Sequence, residues 1–217
     1  MGLYFVKSFE EDHSTKTLVG KEKRTLQTFA EIVASSVIKP NTKSFGQKKR
    51  LSTTILSDNY TKPYRPQGII FQTDAEPDYV LPFDLVLLSN AENIVVHYYR
   101  IKNNLHIYYN HKLIDGYEEF IYKNIEAMLE KFSSPEHAWK TLNDFRAKHG
   151  YKPLPHSKYR LAEYNEEVFL GPVKIRPIAI FGYRAETRLL AKKHNLPHYV
   201  SAKDFYERVQ RSNSQGE

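Results

Sequence analysis

Residues 83–113 read FDLVLLSNAENIVVHYYRIKNNLHIYYNHKL, and the fold turns on how this stretch is divided. Three apolar and aromatic runs are separated by two Asn-bearing breaks, 89–93 and 102–104. Asn tolerates the positive φ that tight hairpin turns need, so the pattern predicts a three-stranded antiparallel meander. With Asn103 and Asn104 as a two-residue turn, Lys102 pairs with Leu105, Arg100 with Ile107, Tyr99 with Tyr108 and His97 with Asn110. Side chains alternate along a strand. One face then carries His97, Tyr99, Ile101, His106 and Tyr108, and the other Tyr98, Arg100, Lys102, Ile107 and Tyr109. Neither is a plain core face. Rings beside Arg and Lys on a sheet can stack bases and hold phosphates, which makes Tyr99, Arg100, Lys102 and Tyr108 candidate nucleic-acid contacts. Tyr also serves simply as a good strand former. A one-residue change in the turn would exchange the faces.

Working outward, residues 39–65 hold seven basic residues (Lys39, Lys43, Lys48, Lys49, Arg50, Lys62, Arg65) against one acid, Asp58. Phe45, Tyr60 and Tyr64 are interleaved, and Leu51–Leu56 reads as a strand between two basic loops. Lys48, Lys49, Arg50, Lys62 and Arg65 are candidate phosphate contacts, with two solvated loops as the plainer reading. The theme returns in KPLPHSKYR (152–160), where Lys158 and Arg160 flank Tyr159.

Chemistry is less well signposted. Asp78 and Asp84 bracket a short apolar run, and carboxylates before further strands can form the acidic half of a nuclease site that holds Mg²⁺ beside a scissile phosphate. Such a site also needs an acid and a Lys on the following strand, and VVHYYRIK (95–102) supplies no carboxylate. His97 and His106 are the candidates for metal-independent acid–base work, beside Asp78 and Asp84 as metal-dependent ones. Of the nine histidines, only His194 and His198 have a chelating spacing, and Pro197 interrupts it. The absence of cysteine excludes disulfides, thiolate catalysis and Cys-based zinc.

The remaining pattern supplies the frame. Leu3–Phe9 and 68–73 read as strands, and 21–39 as a helix with Leu26, Phe29, Ile32, Val33 and Val37 near one face. A helix over 117–132 is followed by one that starts at Ser134-Pro135 and ends before Gly150. Beyond residue 150 the order becomes strand, helix, strand, helix, with Gly182 at the first turn as a candidate anion site beside Arg184 and Arg188. The fold class is therefore α+β (mixed α/β): an antiparallel meander covered by helices, with a C-terminal β-α-β-α segment. The expected division is 1–150 for the meander and its helices, 151–211 for the C-terminal segment packed on the same core, and 212–217 as a disordered tail.

A formal charge of +7 and a pI near 9.3 favour anionic partners. No run is long and apolar enough for a transmembrane helix, and no secretory signal is evident, so an intracellular, cytoplasmic protein without a membrane partner is expected. The leading reading is a basic protein that interacts with DNA or RNA. The first rival is a nuclease-like enzyme, with Mg²⁺ as its cofactor. The second is a binder of a small nucleotide or a protein through the C-terminal segment. Assembly into a homo-oligomer or a larger complex stays open.

Overall fold

The computed structural model describes residues 3–12, 17–19, 28–40, 51–101 and 105–214. The fold is α+β. Its centre is a seven-stranded mixed sheet rather than the expected meander. In chain order, the strands and helices are β1 (Tyr4–Ser8), β2 (Glu10–Asp12), β3 (Thr17–Val19), α1 (Phe29–Ser35), β4 (Val37–Ile38), β5 (Leu51–Leu56), β6 (Gly68–Gln72), β7 (Tyr79–Leu81), β8 (Ser89–Ile101), β9 (Leu105–Leu113), α2 (Ile125–Lys131), α3 (Pro135–Lys148), β10 (Glu166–Phe169), β11 (Val173–Lys174), β12 (Arg176–Phe181), α4 (Ala185–Lys193), β13 (His198–Tyr199) and α5 (Ala202–Ser214). The main sheet runs β13-β12-β6-β1-β5-β10-β7, so it draws strands from both sides of residue 150. Its pairs are antiparallel except for β12 with β13.

The first strand sits at the middle because YFVKS can be covered on both faces. Phe5 stacks on Phe71 at 5.6 Å and meets Phe169 at 6.1 Å in the larger core. Val6 faces the smaller core, with Ile70, Phe181 and Phe205 of α5. Gly68 is required where β6 passes β1, since a Cβ there would overlap the Lys7 carbonyl oxygen. Phe120 joins the helical layer to this core, with ring centroids 5.2 Å from both Phe83 and Phe145. Each such buried ring contributes roughly 1.5–3 kcal/mol.

Residues 83–113 depart from the expected meander in three ways. Leu85–Leu88 is a 3-10 helix, not a strand. The Asp84 carboxylate accepts the Val86 N–H at 2.9 Å and its carbonyl accepts the Leu87 N–H, so the side chain starts a turn in competition with a ladder. The segment 89–93 is not a turn: β8 runs through it, and the register jumps from Asn90↔Lys112 to Ile94↔His111, which is a bulge. The hairpin β8–β9 forms its own two-stranded sheet and pairs Tyr98 with Tyr108, Arg100 with His106 and Ile101 with Leu105. The connection therefore spans three residues, one more than expected. The Tyr99–Tyr108 pairing, and the division into faces that depended on it, fall with the shift.

Two helices are also shorter than their apolar spacing suggests. The chain is helical from Phe29, where Thr28 Oγ1 accepts the Glu31 N–H and Glu31 Oε2 accepts the Thr28 N–H, a reciprocal cap. Ser36 at φ 52° ends it, and Val37–Ile38 leaves to pair with β11. Residues 21–27 of the expected helix lie outside the described ones. The expected helix over 117–132 divides into a 3-10 turn, Tyr117–Phe120, and α2. Between them Tyr122 exchanges backbone bonds with Val80 of β7, at 2.7 and 2.9 Å, and Asn124 caps the new start.

Candidate nucleic-acid interface

Two loops far apart in sequence form a cleft of about 210 Å³. The first lip is 57–67. Ser57 and Tyr60 bond each other through both backbone groups, and the Tyr60 ring is fully buried, so the loop is pinned at its start. Buried Gln67 pins its end. Pro63 and Pro66 each fix their own φ and bias the residue before them, Lys62 and Arg65, toward extended backbone, in a loop that brings Lys62, Tyr64 and Arg65 to the lip. The second lip is the 3-10 helix His156–Leu161 and the residues after it. Ala162 is fully buried and anchors this lip, which presents Arg160, Leu161, Glu163 and Tyr164.

Tyr164 is the floor. Its hydroxyl donates to Asp84 Oδ2 at 2.7 Å, and the Asp84 N–H donates to the Leu161 carbonyl at 3.0 Å. Burial first, and then the neighbouring Asp84 charge, push the phenol far above its ordinary value. Tyr164 is thus a neutral donor and not a base. Its ring meets Tyr64 edge-on at 5.3 Å, and the Arg65 guanidinium lies 4.6 Å from the centroid of Tyr64. Across the mouth the Lys62 ammonium pairs with the Glu163 carboxylate, 101 positions away in sequence. The lining carries three cations and one acid.

Behind the floor, β10 adds two buried carboxyls. Glu166 accepts the Leu85 N–H at 3.0 Å and the Ser52 hydroxyl at 2.6 Å. Glu167 is fully buried and accepts the Thr53 hydroxyl at 3.3 Å. Burial pushes its carboxyl well above the usual range, and the Glu166 charge adds to the rise against the Thr53 bond. Its Oε1 and the neighbouring Asn165 Nδ2 have no hydrogen-bond partner among the described residues.

Of the sequence candidates, Lys62, Arg65 and Arg160 converge on this cleft. Lys158 is exposed on the same 3-10 helix, outside the lining. Lys48, Lys49, Arg50 and Lys102 lie outside the described residues. Tyr99, Arg100, Tyr108, His97 and His106 are placed by backbone pairing in the separate hairpin. Asp84 sits behind Tyr164, whereas Asp78 lies at the other end of β7, where its Oδ2 accepts the Leu170 N–H at 2.7 Å. Among the described residues no group of three His, Asp or Glu could hold a metal ion. At the C-terminal turn, Gly182 (φ 148°) is packed against Gln67 and Thr187, and the Thr187 hydroxyl bonds the Arg184 carbonyl at 2.7 Å and His198 Nε2 at 3.1 Å. Among the described residues no helix is long and apolar enough to cross a membrane.

Sequence reasoning did not select Tyr164 or Glu163, and it noted Tyr64 only as an aromatic between charges. The signal present was the Pro-Tyr-Arg-Pro spacing of 63–66, which stiffens a loop while offering a ring and a cation. No family model, no curated protein and no solved structure matches the chain.

Proposed function

We propose that the protein binds nucleic acid, with the Lys62–Arg65 and Arg160–Tyr164 cleft as the place where a phosphate and its neighbouring nucleotide are held. The observation that carries this reading is the convergence of Lys62, Arg65 and Arg160 on one recess beside Tyr64 and Tyr164. Cations neutralise the phosphate, a contact that positions the strand without reading its sequence. The Arg65–Tyr64 pair offers a flat cationic surface on which a base can stack. The net charge of +7 adds long-range attraction.

Binding is favoured over catalysis at this site because its acids are already engaged. Asp84 accepts from Tyr164 and from Val86, and Glu163 is paired with Lys62. The test is fluorescence anisotropy with single-stranded DNA, duplex DNA and RNA across a salt series. Affinity is expected to fall linearly in log salt, and Arg65→Ala and Arg160→Ala are each expected to reduce the slope by roughly one. No binding to any of the three at low salt would overturn the reading.

A further inference from the structure

The strand register places a second aromatic and basic feature at the same end of the sheet as the cleft. The first lip, 57–67, leads into β6 at Gly68. Gly68 pairs with Phe181, the last residue of β12, and Phe181 pairs with Tyr199, the last residue of β13. The second lip enters β10 from that end too, where the Asn165 side-chain carbonyl accepts the Ile55 N–H at 2.9 Å. The turn 182–184 therefore leaves the sheet beside the loop that carries Tyr64 and Arg65, and Gly182 packs against Gln67 of that loop.

The chain exposes apolar surface at this turn. Phe181 is fully buried, whereas two residues later Tyr183 is 58% exposed, and Val200, just past β13, is 59% exposed. The Gly182 N–H donates to the Tyr199 carbonyl at 3.0 Å, which ties the two strand ends together. The Arg184 guanidinium lies 5.5 Å from the centroid of the Tyr183 ring, repeating the Tyr64–Arg65 arrangement. Arg188 is close enough to His198 of β13 to add to the burial that holds its imidazole below the ordinary value. A base stacking on Tyr183 does not depend on the charge balance there, where Glu186 opposes Arg184 and Arg188. Every base has a face that can stack, but a duplex keeps those faces covered.

We propose that Tyr183 and Arg184 form a second nucleic-acid contact, a stacking platform that continues the cleft along the end of the sheet and makes single-stranded nucleic acid the ligand. This rests on the nucleic-acid reading above. From β12 to β10 the sheet order counts four strand spacings, about 19 Å. A stacked strand rises roughly 3.4 Å per nucleotide, so about six nucleotides cover the row.

The test is anisotropy with the full chain and single-stranded oligonucleotides of about three to about twelve nucleotides, beside a duplex of the longest sequence. Wild-type affinity is expected to rise with length up to about six nucleotides. Tyr183→Ala is expected to weaken the longest strand roughly fivefold or more and to leave the shortest strand and the duplex unchanged. Tyr183→Phe, which keeps the ring, is expected to bind as the wild type does, and so is Leu189→Ala, an equally exposed apolar site on α4. Tyr183→Ala matching the wild type at every length would overturn the platform and leave the cleft reading standing. The same loss at every length, or the same loss on the duplex, would also overturn it. No binding of any oligonucleotide by the wild type would remove both readings.

Discussion

Tyr164 donates its hydroxyl to Asp84 at 2.7 Å, and this bond ties the floor of the cleft to the turn that begins the 3-10 helix Leu85–Leu88. Both residues are buried. The same carboxylate accepts the Val86 N–H, so one acid links the cleft to the entry of the β8–β9 hairpin. Tyr164→Phe keeps the ring and deletes the donor. It is expected to lower stability by about 1–3 kcal/mol, the range for a buried acceptor left short of a partner. Urea unfolding would measure this, and an unchanged midpoint would show that the bond holds nothing together.

Glu167 predicts a pH effect. Its folded-state pKa is raised by burial, so the folded protein holds this proton more tightly than the unfolded chain. The contribution to stability is full below the ordinary carboxylate range and is lost as pH rises through the raised value. Glu167→Gln, which keeps the shape and cannot ionise, is expected to flatten the decline on the alkaline side. Urea midpoints between about pH 5 and 9 would test this. Parallel profiles for the two proteins would mean that the folded protein holds the Glu167 proton no more tightly than the unfolded chain does, which would contradict the raised pKa.

Gly182 predicts a backbone effect. Its φ is 148°, and a Cβ would lie 2.9 Å from both Gln67 Cβ and Thr187 Cγ2. Gly182→Ala therefore combines an unfavourable dihedral with a clash between two buried neighbours, and about 1–3 kcal/mol of destabilisation is expected. The melting temperature of the variant measures it. A neutral result would mean that the turn between β12 and α4 relaxes without cost.

Lys158 and Arg160 separate the cleft from mere surface charge. Both lie on the same 3-10 helix, and only Arg160 lines the recess. Arg160→Ala is expected to weaken nucleic-acid binding several-fold more than Lys158→Ala at equal ionic strength. Anisotropy titrations of the two variants decide it. Equal losses would point to a diffuse basic surface.

What was legible in the sequence was local. Ser134-Pro135 marks the start of α3 because a capping hydroxyl and a proline act on their own backbone. The run from β12 through α4, β13 and α5 was readable for the same reason, with Ser201 capping α5 through the Asp204 N–H. The place of β1 between β5 and β6 was not readable, since it depends on Phe5 meeting Phe71 and Ile55 across long separations. Nor was the division of 117–132, which the Val80–Tyr122 bridge imposes from outside the segment. The candidate site divides likewise. Lys62, Arg65 and Arg160 stood out as charges, but the pairing of Lys62 with Glu163 and of Tyr164 with Asp84 spans 101 and 80 positions that no local pattern encodes.

The most direct measurement is the salt dependence of single-strand binding by the wild-type chain and by the Arg65→Ala/Arg160→Ala double variant. A linear decline of log affinity with log salt in the wild type, with the slope reduced by roughly two in the double variant and an unchanged circular dichroism spectrum, is the predicted result. An identical slope and affinity in the two proteins would contradict the account, because the cleft would then hold no phosphate.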